Sequence, residues 1–384
     1  MVTVTAAANA ITAARTIIIK IGSSLLIDDD RNAVNADWLK GIASDITMLR
    51  EDGKNVVVVS SGAIALGSRG LGITGRALAI EEKQAAAATG QVTLAHAWRE
   101  ALATHDIRVA QILLSPDDTE TRRRHLNARA TMTSLLGLGA VPVVNENDTV
   151  ATAEIRFGDN DRLAARVAAM ISADLLILLS DVDGLYSGNP RRDESARHVP
   201  EVTSINEEIT AMAGTANATY ASGGMVTKLE AARIAMNAGC GMIICDGRGE
   251  RPVKGLIEGG QHTLFRAEHS PLTARKQWIG GALNPKGRIT VDAGAARALH
   301  QGRSLLPAGV VATSGAFERG DLIAIEDEAR QVIGHGLSAY SAGDTRAILG
   351  HKSSEIEKLL GYRGRDEVIH ADNLAMFEPG SNTP

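Results

Sequence analysis

Lys20 interrupts the apolar run Thr16-Ile17-Ile18-Ile19-Lys20-Ile21 and stands directly before Gly22-Ser23-Ser24. An ammonium in a buried strand is costly unless a negative group meets it. A second lysine, Lys228, lies near the start of a helix-like stretch after Ser222-Gly223-Gly224-Met225. There the helix dipole disfavours a cation, while the unpaired backbone N–H groups favour an anion. Both placements make sense around a polyphosphate. Gly22, Ser23 and Ser24 can present N–H groups to phosphate with Lys20 beside them as a point charge. A plain strand-to-helix turn would explain a Gly-Ser pair alone; the embedded Lys20 shifts the balance toward phosphate.

Four further groups carry polar chemistry. Ser61, Gly62 and Ala63 follow a strand-like run and precede a helix-like one, so their backbone donors suit a substrate carboxylate, although helix capping by Ser60 or Ser61 explains them equally well. Asn145, Asn147 and Asp148 suit an ammonium and a polar side chain, with an ordinary Asn/Asp turn as competitor. Asp159, Asn160 and Asp161 precede Leu163, Val167 and Ile171 at helical spacing, and an N-cap accounts for only one of the three. Asp161 suits orienting the two lysines, and Asn160 suits contact with substrate. Ser180-Asp181 suits nucleotide or magnesium; an Asx-turn before Gly184 is the plainer alternative.

Other patterns lead away from chemistry. No Gly-x-x-x-x-Gly-Lys-Ser/Thr signature occurs, which disfavours a standard P-loop enzyme. Gly70, Gly72 and Gly75 have dinucleotide-fingerprint spacing without the strand and acidic residue it requires, and read as a loop. Arg122-Arg123-Arg124-His125 lies close to Asp117, Asp118 and Glu120 and reads as a solvated helix face. His96 and His105 lack metal-ligand spacing and receive no role.

These groups need a scaffold that brings them together. Apolar runs at Ile17–Ile21, Asn55–Val59, Val109–Leu114, Val141–Val144, Leu175–Leu179 and Met242–Cys245 alternate with amphipathic stretches, the pattern of a mainly parallel sheet covered by helices. Uniformly apolar runs predict strands buried on both faces. Ligands of such sheets bind beyond the carboxyl ends of the strands, which is where the polar groups above fall. After Gln261 the texture changes. A charged connector, Arg266 to Lys276, is followed by Trp278-Ile279-Gly280-Gly281 at the start of a compact segment, where runs such as Arg288–Val291, Leu322–Ile325 and Gln331–Gly334 predict a small mixed or β-rich domain.

A length of 384 residues implies two domains, and 44% hydrophobic with 22% charged residues is globular composition. Forty basic against 45 acidic side chains leave a net charge of -5, so no general field recruits nucleic acid or anionic membrane. Cys240 and Cys245 read as reduced core residues on opposite faces of a strand. No apolar stretch reaches membrane-spanning length, and residues 1–15 read as a loose extension on a cytoplasmic protein.

Taken together, Lys20-Ile21-Gly22-Ser23-Ser24, Ser60-Ser61-Gly62-Ala63-Ile64, Asn145-Glu146-Asn147-Asp148, Gly158-Asp159-Asn160-Asp161 and Gly223-Gly224-Met225-Val226-Thr227-Lys228 resemble the ordered motifs of the amino acid kinase family, from Thr16 to about Met376. Within it, the resemblance is to members that phosphorylate the γ-carboxylate of glutamate. It implies a three-layer αβα sandwich at residues 16–265, a linker at 266–277, a β-rich PUA-like domain at 278–376 and a tail at 377–384. It also implies ATP as substrate, Mg2+, L-glutamate as acceptor, the first step of proline synthesis, feedback by proline, and a homo-oligomer, dimer or tetramer. Lys20, Asp161 and Lys228 would be catalytic. Ser61, Gly62, Ala63, Asn145, Asp148, Asp159 and Asn160 would bind glutamate. Lys20, Gly22, Ser23, Ser180, Asp181, Ser222, Gly223, Gly224, Met225, Val226, Thr227 and Lys228 would meet the nucleotide; the residues holding the metal are left open.

The expected chemistry agrees with this inventory. A carboxylate acceptor with an ordinary pKa of about 4.3 is already ionised, so the difficulty is repulsion between anions rather than proton removal. Two lysines and Mg2+ supply the required positive charge. The nearest alternative is a family member acting on aspartate or N-acetylglutamate, although an aspartate kinase would be expected to carry ACT domains. An RNA-binding protein led by the PUA-like segment is a minor alternative: from Lys276 onward there are 12 Lys/Arg against 13 Asp/Glu, and aromatics are 3% of the chain.

Overall fold

Each of the six apolar runs forms a strand, and all six pair in parallel. These are β1 (Thr16–Ile21), β2 (Asn55–Ser60), β3 (Val109–Leu114), β4 (Val141–Glu146), β5 (Leu175–Ser180) and, after β6 (Glu201–Val202), β7 (Gly241–Asp246). The computed structural model describes residues 5–28, 33–150, 160–214, 224–281 and 284–377, in two compact units, Met1–Pro271 and Leu272–Pro384. With β8 (His262–Phe265), which runs antiparallel to β7, the first unit has an eight-stranded sheet in the order β6-β8-β7-β5-β1-β2-β4-β3.

Period-two alternation assigns the strand side chains to two cores. Ile17, Ile19, Val56, Val58 and Ile177 face one layer, which contains α1 (Ala6–Ala13), α2 (Ala36–Glu51) and, beyond α3 (Ala63–Gly70), the long α4 (Ile80–Ala103) with Leu94 and Trp98. Ile18, Val57, Val59, Leu176 and Leu178 face the other. Met132 of α5 (Arg122–Gly137), Leu163 and Val167 of α6 (Asn160–Ile171), and Ala231 and Ala235 of α7 (Met225–Asn237) cover that side. The result is a three-layer αβα sandwich. Cys240 belongs to one core and Cys245 to the other, both as buried free thiols.

Two expectations need correction. Val109–Leu114 is apolar but not buried on both faces: it is the outer strand of the sheet, and Gln111 and Leu113 are exposed. An apolar run cannot report its own position in the strand order. Nor is the described part of residues 1–15 a loose extension. Ala6–Ala13 forms a helix capped by Thr5, whose Oγ1 accepts from Ala8 N at 3.1 Å, and Ala7, Ala8 and Ile11 are buried. The alanines that made this stretch read as a loose extension are also the best helix formers, and Ile11 gives the helix an apolar face.

The second unit has a five-stranded sheet. β9 (Gly287–Val291) is flanked by antiparallel β10 (Val310–Gly315) and parallel β11 (Leu322–Glu326); β12 (Val332–Leu337) and β13 (Leu374–Met376) continue antiparallel. Ile289, Val291, Ile323, Ile325 and Leu374 build its core with Tyr340 and Ile348. It is the mixed, strand-rich unit with short helices that the sequence predicts.

Candidate active site

The alternation that sorts the cores also decides what Lys20 meets. Sharing the face of Ile18, it points into the layer of α6 and α7, where Asp161 and Lys228 begin their helices. Lys20 Nζ lies 2.5 Å from Asp161 Oδ1, and Lys228 Nζ donates to Asp161 Oδ2 at 3.1 Å. Asp161 is 0% exposed, Lys228 5% and Lys20 7%. Burial alone would raise the Asp161 pKa; the ammoniums of Lys20 and Lys228 outweigh it, so the net shift is downward. Both ammoniums thus meet the same buried carboxylate.

A cavity of about 630 Å³ opens at the carboxyl ends of β5, β1, β2 and β4. Lys20 and Lys228 stand in its wall with Gly22, Ser23, Ser180 and Asp181 on one side, and Ser61, Gly62, Ala63, Asn145, Asp148 and Asn160 on the other. Strand order explains this division: β5 and β1 deliver the first set, and β2 and β4 the second, to which the start of α6 adds Asn160. The arrangement has a phosphate-suited half, an acceptor-suited half and two ammoniums.

On the acceptor side neither serine caps α3. Gly62 is the N-cap residue, at φ 110°, and its backbone supplies the turn from β2 into the helix. The N–H groups of the first turn, including Ala63, therefore have no acceptor within the helix. Ser60 Oγ accepts from Trp98 Nε1 at 3.0 Å, and Ser61 Oγ accepts from Asn160 Nδ2 at 2.8 Å. Asn147 turns aside, its Oδ1 accepting from Thr149 Oγ1 at 2.6 Å, so the plain-turn reading holds for that residue. Ser180 Oγ donates to Asp181 Oδ1 at 3.2 Å.

Of the nucleotide segment, Gly224, Met225, Val226 and Thr227 form the start of α7, with Lys228 entering the cavity wall one turn on; Asp159, Ser222 and Gly223 lie outside the described residues. Gly70 ends α3, and Gly72 and Gly75 follow with φ of 68° and 80°. Arg122, Arg123 and Arg124 begin α5, where Arg124 meets Asp118 at 3.5 Å. Sequence reasoning missed Lys83 and Glu146 in the wall, and Gln91 behind Asn145. Lys83 sits among Glu81, Glu82 and Gln84, a pattern indistinguishable from a solvated helix face. Among the described residues no group of three or more His, Cys, Asp or Glu could hold a metal ion.

The model of the amino acid kinase family matches residues 15–246, and that of the PUA domain matches residues 287–360. The chain is 60% identical over 364 residues to a protein of Paramagnetospirillum magneticum named glutamate 5-kinase, covering 95% of this chain and 98% of that one. It is 54% identical over 377 residues to a protein of the same name from Gluconobacter oxydans, covering 98% and 100%. Among solved structures, carbamate kinase from Giardia lamblia bound to AMP-PNP aligns with a TM-score of 0.48 at 16% identity, over 67% of this chain and 100% of that one.

Proposed function

The chain belongs to the amino acid kinase family, and on that premise we propose that it transfers the γ-phosphoryl group of ATP to the γ-carboxylate of L-glutamate, forming L-glutamyl 5-phosphate. The observation that carries this reading is that Lys20 and Lys228, both bonded to the buried Asp161, stand in the wall of one cavity. Glutamate is the acceptor named in the relatives that align with nearly the whole chain.

In this mechanism the acceptor arrives ionised, and the protein's task is to hold two anions in line. Ser61, Asp148 and Asn160 bind glutamate, with the N–H groups at the start of α3 directed to a carboxylate. Lys20 and Lys228 neutralise the transferring phosphoryl group from the positions Asp161 fixes, so little reorganisation is needed at the transition state. Ser180, Asp181 and the start of α7 receive the nucleotide. Mg2+ is typically held by one or two carboxylates plus nucleotide phosphates, and Asp181, an exposed carboxylate in the wall, suits that role. When bound, it would neutralise phosphate charge.

The product places the reaction at the first step of proline synthesis. Proline keeps the α-carboxylate and amine of glutamate and would compete for the acceptor half. We further assign the protein to the cytoplasm as a homo-oligomer, dimer or tetramer, with the PUA domain in regulation or assembly. No helix among the described residues is long and apolar enough to cross a membrane.

The deciding experiment is glutamate-dependent ADP release with the acyl phosphate trapped as a hydroxamate. Turnover with L-glutamate well above that with aspartate or N-acetylglutamate is expected; a preference for either alternative would overturn the reading. Comparing proline inhibition and oligomer size before and after removal of residues 272–384 tests the second unit's role, and no change in either would count against it.

A further inference from the structure

Behind the acceptor half runs a chain of side-chain amides whose orientation is set at one end by a group that can only donate. The backbone N–H of Glu146 donates to Asn145 at 2.9 Å, which identifies that atom as Oδ1. The opposite Asn145 atom is therefore Nδ2, and it donates to Gln91 Oε1 at 2.8 Å. Asn145 Oδ1 in turn accepts from Asn160 at 3.0 Å, so Asn160 presents Nδ2 there; the same Nδ2 lies 2.8 Å from Ser61 Oγ and 3.3 Å from Ser60 O. With its nitrogen committed to this side, Asn160 has Oδ1 left for a molecule in the cavity it lines.

We propose that Gln91 is a positioning residue for substrate specificity: through Asn145 it makes Asn160 present an acceptor, which selects an amino acid with a free α-ammonium. This rests on the glutamate reading. Gln91 sits on α4, is 9% exposed, and is absent from the cavity wall, so its effect must pass through Asn145. An ammonium donates to a carbonyl oxygen and is repelled by an amide N–H, so the flip decides the sign of the contact. An apolar side chain at position 91 leaves Asn145 Nδ2 buried without an acceptor, so the Glu146 N–H alone holds the amide and its position against Asn160 is no longer fixed at both ends.

The test compares wild type with Gln91→Leu and Gln91→Glu, the latter keeping an acceptor oxygen at Oε1. Steady-state kinetics with glutamate and with ATP are measured alongside thermal melting. Gln91→Leu is expected to raise KM for glutamate roughly tenfold or more, the loss of one hydrogen bond to a charged group, with KM for ATP within about twofold by the same reasoning. Gln91→Glu is expected to restore most of the glutamate affinity. An unchanged glutamate KM in Gln91→Leu, a parallel rise in both KM values, or a failure of Gln91→Glu to recover would overturn the inference. A wild-type protein that does not turn over glutamate would sink the acceptor assignment itself, together with this inference. Wild-type turnover with an indifferent Gln91→Leu sinks the inference alone.

Discussion

Asp161 holds two ammoniums whose helices and strand are far apart in the chain, and the three side chains differ in what their loss should do. Lys20→Met leaves Asp161 paired with Lys228, so the fold should survive while kcat falls by roughly 10²–10³, the usual consequence of removing one preorganised charge. Single-turnover kinetics with a melting curve would check both halves. Asp161→Asn removes the carboxylate that both buried ammoniums meet and should destabilise by about 3–5 kcal/mol, measured by urea denaturation. The sign with pH follows from the lowered Asp161 pKa. A carboxylate whose folded pKa lies below its unfolded value stabilises the fold above the unfolded value, about 3.9, and that stability is lost as pH falls through the folded pKa. Denaturation midpoints between pH 6 and pH 3 should therefore drop on the acid side; a midpoint rising toward pH 3 would refute the assignment.

At the scale of elements, the acceptor half depends on how closely α3 and α4 approach. A Cβ on Gly90 would lie 1.9 Å from Ala63 O, and one on Gly67 would lie 1.7 Å from Ala86 O. Both contacts are with backbone, which cannot rotate away. Gly90→Ala must push α3 from α4 and should cost about 1–3 kcal/mol. It also shifts Ala63 at the cavity and Gln91 behind it. Glutamate KM should thus rise more than ATP KM, because the residues proposed to meet the nucleotide are delivered by β1, β5 and α7. Equal rises would show that the two halves are not separable.

For the whole molecule, the sheet is a barrier between two cores, and each core hides one thiol. Burial, with a smaller contribution from Asp246, pushes Cys245 up to about 12; burial raises Cys240 as well. Both should resist thiol reagents in the native protein and react together when it unfolds. Time-resolved modification in native buffer and in urea would show this, and rapid native labelling would contradict the burial. Every described residue of the proposed site lies in Met1–Pro271, a unit with its own cores.

The strands were legible because burial on a sheet demands uninterrupted apolar side chains, and the polar residues just beyond them were legible as strand ends. Lys20 was conspicuous for the same reason: a charge in such a run needs an explanation within the chain. The pairing of Lys20 and Lys228 through Asp161 was anticipated by residue type, but only packing could bring residues 20, 161 and 228 onto one face. Strand order is a property of hydrogen bonding between distant segments, so the exposed edge at Val109–Leu114 left no local trace. Gln91 was invisible for a related reason. Its role lies in one hydrogen bond to Asn145, 54 positions away, and in an Ala-rich helix an amide that orients a site reads like one that faces water.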